Sequence, residues 1–163
     1  LTVKVSVYID GSNMRFCGKN EGWRIDYRKF KPFLVQGRAL VDLNYYEGIS
    51  SMSSVKRFSI LTSLGYSLKL FQYKEYDQST REKRVDTQIV ADSIYDAFTK
   101  EFDVAVLCSG DQDIVPAVEY LLKLGKKVEV VAFNSGLSWA LRATIHIGAK
   151  IIDVSRNKAV LSL

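Results

Sequence analysis

The sequence predicts an α/β protein, a three-layer sandwich with a central, mostly parallel sheet of five to six strands. Three observations carry that prediction. Short β-branched runs alternate with segments of helical period along most of the chain. Residues 104–107 (Val-Ala-Val-Leu) are apolar without interruption, as expected of a strand buried on both faces. Strands separated by helices require right-handed crossovers, which make the sheet parallel and cover both its sides.

Residues 2–9 alternate β-branched and other side chains up to Asp10-Gly11-Ser12-Asn13, a strand ending in a loop, with Ser12 or Asn13 as the cap of the next helix. Helices are expected at 13–18 and from Asp26 onward, the second bent or ended by Pro32. Residues 38–46 read as the second strand. Met52, Val55, Phe58, Leu61 and Leu64 then recur every three residues between a Ser-rich start and Gly65, a helix with one apolar stripe. Residues 66–73 form the third strand. Polar residues 74–83 read as a loop delivering the chain to a helix that begins near Asp86. After the fourth strand at 104–107 come a helix at 115–124 stopped by Gly125, a strand at 128–133, a helix at 137–145 and a last strand at 150–154. No repeat, low-complexity tract or linker interrupts this order, so residues 1–163 are expected to form one domain.

Composition narrows the function classes. With 163 residues, 47% hydrophobic and 25% charged, the chain has the balance of a packed protein and not of a disordered one. No apolar run approaches the ~20 residues of a membrane span, and no secretory pattern opens the chain, so no membrane association and a cytoplasmic location are expected. Cys17 and Cys108 are too few for a disulfide framework and are expected reduced and packed. His146 is the single histidine, which removes zinc sites built on Cys/His spacing as well as Ser-His-Asp triads. Catalysis, if present, runs on carboxylates. A net charge of +5 favours a polyanionic partner.

In an open α/β sheet the ligand site lies outside the carboxyl ends of the strands, where strand order reverses. Asp10 ends the first strand, Asp111 and Asp113 follow the fourth in Ser109-Gly110-Asp111-Gln112-Asp113, and Asp86 opens the helix before the fourth. If the first and fourth strands are neighbours, these carboxylates converge. Such a cluster repels itself unless a cation lies between its members, and an all-oxygen site selects Mg²⁺ or Mn²⁺. Asp111, Asp113 and Asp86 also suit plain helix caps. Asp10 does not, because a carboxylate at the tip of a buried strand is costly without a partner.

Other candidates carry simpler readings. On a wheel started at Asp86, Val90, Ile94 and Ala97 form the buried arc, which leaves Asp92 and Asp96 in solvent. Tyr45, Tyr46, Tyr73 and Tyr76 suit stacking on bases, but aromatics in strands more often pack the core. Arg81, Lys83 and Arg84 precede Asp86 and are placed to meet phosphates, and Arg142 lies on a helix able to face the same rim; each is also an ordinary solvated side chain.

The segments Val7-Tyr8-Ile9-Asp10-Gly11-Ser12-Asn13, Lys83-Arg84-Val85-Asp86 with Asp92 six residues on, and Ser109-Gly110-Asp111-Gln112-Asp113 resemble, in this order and spacing, the NYN domain family of PIN-like nucleases. The resemblance spans nearly the whole chain. It implies a Rossmann-like sheet and metal-dependent RNA cleavage, with Asp10, Asp86 and Asp111 holding the metal, Asp113 as a fourth acidic residue and Asn13 as a polar neighbour of the first. It also brings Asp92 into the metal site. The family pattern has Gly where this chain has Arg84, a cation placed to narrow the approach to Asp86 or to add a phosphate contact.

The resulting expectation is an endoribonuclease using Mg²⁺ or Mn²⁺, with Asp10, Asp86, Asp111 and Asp113 catalytic, and with Asn13, Lys83, Arg84 and Arg142 contacting RNA. A homodimer is compatible with it. The alternative is a non-catalytic RNA-binding or regulatory module of the same fold. An adhesion-type metal site expects Ser where Met14 stands, a haloacid-dehalogenase-type phosphatase expects Asp where Ser12 stands, and a nucleotide-binding first turn needs more glycine than Gly11.

Overall fold

The structure, a computed structural model, describes residues 1–50, 53–73 and 78–163, with 78–83 described as backbone only. Among the described residues six strands form one sheet: β1 (Lys4–Asp10), β2 (Ala39–Ile49), β3 (Ser67–Gln72), β4 (Val104–Cys108), β5 (Lys127–Ala132) and β6 (Lys150–Asp153). Their order is β3-β2-β1-β4-β5-β6 and every pairing is parallel. Chain progression therefore reverses between β1 and β4, the two strands whose tips carry the acidic motifs. All five residues of β4 are buried, as its unbroken apolar run requires.

Alternation along β1 separates two cores. Val5, Val7 and Ile9 pack with Phe30 and Leu34 of α2 (Tyr27–Val35), Phe58 and Leu61 of α3 (Val55–Ser63), and Met14 and Cys17 of α1 (Gly11–Asn20). Tyr8, together with Tyr46, packs on the opposite face with Val85 and Ile89 of α4 (Gln78–Thr99), with Ala117, Val118 and Leu121 of α5 (Val115–Lys123), and with Leu141 of α6 (Trp139–Ala143). Both cysteines are free and buried. Tyr45 and Tyr46 are fully buried, so they pack the core and cannot stack on bases.

Several elements depart from the sequence reading. Asp10, not Ser12 or Asn13, caps α1: its carboxylate accepts the Asn13 amide at 2.9 Å. Pro32 neither ends nor interrupts α2, which continues to Val35 and closes on Gln36 in the left-handed conformation. In α3 only Phe58 and Leu61 of the expected stripe are buried, Val55 points to solvent, and Met52 lies outside the described residues. α4 begins at Gln78, so Asp86 sits inside a helix and caps nothing. Its first two turns are polar, and polarity without an apolar stripe gave no helical signal. β2 runs three residues past Tyr46 to Ile49. α6 is a single short helix continued by a 3-10 turn at Thr144–Ile147. A final helix, α7 (Lys158–Leu161), was not foreseen; it precedes an antiparallel bridge between Ser162 and Ile25. Among the described residues no helix is long and apolar enough to cross a membrane.

Candidate functional site

Asp10 is the last residue of β1 and is buried. Because it caps α1, its carboxylate is fixed at the rim by the first amides of that helix. The loop after β4 is tied to it through Asn13, whose Oδ1 accepts the Gly110 amide at 3.1 Å. Asn13 therefore locks the two strand tips together. Gly110 has no room for a side chain: a Cβ there would lie 2.1 Å from the carbonyl oxygen of Gly136, so the turn before α6 closes directly on the acidic loop. Ser138 completes the contact by donating its amide to Gly110 O at 2.9 Å.

Asp86 reaches the same place from α4 and is buried. Among the described residues its Oδ1 has no hydrogen-bond partner, and neither has the buried hydroxyl of Ser12, next to Gly11 at the start of α1. Burial drives the Asp86 carboxyl well above the usual carboxylate range, to about 8, and the charges of Asp10, Asp111 and Asp113 push the same way. Burial also lifts Asp10, to about 6; the Asn13 amide opposes this and Asp111 adds to it. Asp111 caps the 3-10 turn Gln112–Ile114, accepting the Asp113 amide at 2.9 Å, so its helix-cap reading holds. Asp113 is exposed and lines a groove of about 420 Å³ with Asp86, Thr87, Val90, Gln112 and Pro116.

The four carboxylates thus share one rim, with Asp10 and Asp86 at its buried centre. Among the described residues no three acidic side chains are drawn into a ready metal cage. The donor chemistry nevertheless fits a hard divalent cation: every donor is oxygen, and a buried carboxylate oxygen and a buried hydroxyl are left unsatisfied.

Asp92 stands apart from this set. Its oxygens accept Tyr46 OH at 2.8 Å, Lys69 Nζ at 2.6 Å and Gln88 Nε2 at 2.7 Å. Burial alone would raise its carboxyl, but these bonds hold it below the usual range. Asp96, expected in solvent, is 5% exposed; it accepts Tyr8 OH at 3.0 Å and pairs with Lys100. The buried face of α4 therefore runs through Val85, Asp86, Ile89, Ser93 and Asp96, displaced from the apolar arc of the helical wheel. Tyrosine hydroxyls rising from β1 and β2 make that polar face buriable.

Arg84 is exposed and stacks over the Phe71 ring, 5.0 Å from its centroid. Arg142 is exposed on α6 and donates to Asn134 Oδ1 at 3.0 Å. The side chains of Arg81 and Lys83, and Tyr76, lie outside the described residues. Two features escaped the sequence reading. Trp139, 83% exposed, opens α6 beside the Gly110 contact. On the other face Arg15, Glu47 and Arg57 form an ion cluster at the tip of β2. The sequence reading ended the second strand at Tyr46 and gave Glu47 no role, whereas β2 runs on to Ile49 and buries that carboxylate within the strand.

The family model of the NYN domain matches residues 4–147, from β1 through the turn after α6. The chain belongs to the NYN domain family. It is 27% identical over 148 residues to the low amplitude and bright protein LabA of Synechococcus elongatus, covering 85% of this chain and 78% of LabA. Among solved structures it is similar to a protein of unknown function from Vibrio parahaemolyticus, with a TM-score of 0.80 and 23% identity over 98% of this chain and 96% of that one. The latter likeness shows the fold, the Rossmann-like sheet of this NYN chain.

Proposed function

We propose that this NYN domain is a metal-dependent endoribonuclease. The observation that carries the reading is Asp86: a buried carboxylate oxygen without a partner among the described residues, facing Asp10 at the β1/β4 reversal and opening on a groove. Asp10, Asp86 and Asp111, with Asp113 beside them, would hold Mg²⁺ or Mn²⁺. The ion would supply Lewis-acid polarisation of a phosphodiester and acidify a water for attack on phosphorus. The chain's own part is to fix that geometry. α1 and Asn13 hold the two strand tips in one register, which keeps Asp10 and Asp111 from drifting apart. Asp113 lines that groove from the turn before α5, where an RNA phosphate would approach Asp86. Arg84, Lys83 and Arg142 would position the backbone, and the net charge of +5 favours its approach.

The test compares wild type with Asp10→Asn on unstructured RNA with Mg²⁺ or Mn²⁺. Metal-dependent cleavage by wild type, lost in the variant, is the expected result. Equal, negligible cleavage alongside RNA binding would replace this reading with a non-catalytic RNA-binding module.

A further inference from the structure

We propose that Arg15 and Arg57, clamped on the buried carboxylate of Glu47, form a phosphate-binding subsite that grips the RNA backbone on the α1/α3 side of the acidic rim. The inference rests on the reading of this domain as one that acts on RNA, and adds residues that reading does not use.

Asp10 pairs with Tyr46 across β1 and β2, so Glu47 stands one residue beyond the level of Asp10 on the adjacent strand. By alternation it shares the face of Tyr45, opposite α4. Its side chain is 1% exposed. Arg57 of α3 takes both of its oxygens, Nη1 to Oε2 at 2.6 Å and Nη2 to Oε1 at 2.8 Å, and Tyr45 OH donates to Oε2 at 2.8 Å. Arg15 of α1 adds a further bond, from Nη2 to Oε1.

One forked guanidinium is enough to neutralise one carboxylate. Here two guanidinium groups meet one carboxylate, which leaves a surplus positive charge at the rim. The exposures say where it faces: the side chains of Arg15 and Arg57 are 40% and 25% exposed above a carboxylate that solvent does not reach. Arg15 donates only through Nη2 among the described residues, and a guanidinium carries five N–H donors. The planar fork of a guanidinium held in place by a buried partner suits a phosphate better than a free lysine would.

Position supports the same ligand. Arg15 lies five residues after Asp10, about 7.5 Å along α1, and its side chain leans back toward the helix N-terminus, where it meets Glu47 at the rim. Arg84 and Arg142 belong to α4 and α6, which pack on the opposite face of the sheet. A backbone crossing the rim would therefore meet cations from helices on both faces of the sheet.

A purely structural role for Arg15 makes the contrary prediction, that its loss lowers stability and leaves RNA alone. Binding of a fluorescent oligouridylate is measured in EDTA over a range of salt for wild type, Arg15→Gln, Arg15→Lys and Lys19→Gln, with thermal melts of each. Arg57 keeps its two bonds to Glu47 in Arg15→Gln, so the melt should hold. Its affinity should fall roughly ten-fold at low salt, and its salt slope should flatten by about 0.7 for the lost phosphate contact. Arg15→Lys should recover the slope, and Lys19→Gln, farther along α1, should match wild type. Arg15→Gln with the wild-type slope and affinity overturns the subsite, whatever its melt. A wild type that binds no RNA at all overturns the proposed function, and with it this assignment.

Discussion

At the scale of single residues, the centre of the site is a pair of carboxylates whose folded state favours the proton. Burial raises Asp86 to about 8 and Asp10 to about 6, while in the unfolded chain both return to the ordinary carboxylate value. Between those values the folded protein binds more protons than the unfolded one, so what the pair contributes to stability is full below about pH 4 and is lost as pH rises toward 8. Glu47 and Asp92 work in the opposite sense. Burial raises both, but the arginines around Glu47, and Lys69, Gln88 and Tyr46 around Asp92, hold them below the usual range. What they contribute is present above about pH 4 and lost below it. In EDTA the melting temperature should therefore fall from pH 5 to pH 8, and Mn²⁺ should remove or reverse that fall; a flat profile without metal would contradict a buried pair of raised carboxyls. Asp92 should separate cleanly from this behaviour. Asp92→Ala leaves the Tyr46 hydroxyl and Lys69 without their acceptor and should cost about 1–3 kcal/mol in urea unfolding. Its Mn²⁺ affinity should remain that of wild type, and a large loss of affinity would return Asp92 to the metal set.

At the scale of elements, β1 and α1 are joined so closely that the site depends on a missing side chain. A Cβ at Gly11 would lie 2.1 Å from the Tyr45 ring, whose hydroxyl in turn holds Glu47. Gly11→Ala should push the ring aside, destabilise the fold by roughly 1–3 kcal/mol and weaken Mn²⁺ binding at the neighbouring Asp10. Unfolding and Mn²⁺ titrations that both match wild type would show that the ring yields freely. The same region explains what the sequence disclosed. Asp10 and the loop after β4 were legible because alternation and an unbroken apolar run place strand tips without knowledge of partners. The true face of α4 was not legible, because Asp96 is buried and Asp92 half-buried against tyrosine hydroxyls from distant strands, and no periodicity within the helix encodes them. The first turns of α4 were hidden for a related reason: a solvated helix without an apolar stripe reads as a loop. Arg15 and Arg57 were hidden because a surface arginine looks the same in sequence whether or not a buried Glu47 fixes it.

At the scale of the whole molecule, a chain of net charge +5 concentrates carboxylates at one rim and keeps cations around it, so charge is divided between two tasks. If the aspartates serve metal and the cations serve backbone, removing one kind should leave the other task standing. Asp86→Asn takes a negative charge from the path of a phosphate; cleavage should vanish while RNA binding stays intact or tightens. Replacing Lys83 and Arg84 together by Ala should do the reverse. Affinity should drop across sequences without preference, and the dependence of its logarithm on salt should flatten by about 0.7 per lost phosphate contact on single-stranded RNA. Mn²⁺ affinity in that double variant should not change, since neither residue offers a ligand. Titrations of an unstructured RNA at several salt concentrations, run beside Mn²⁺ titrations for both variants, separate the tasks. An unchanged slope in the double variant would confine backbone binding to other cations of the rim, and weakened RNA binding in Asp86→Asn would mean that the carboxylates themselves, through the ion they hold, supply most of the grip on the phosphate.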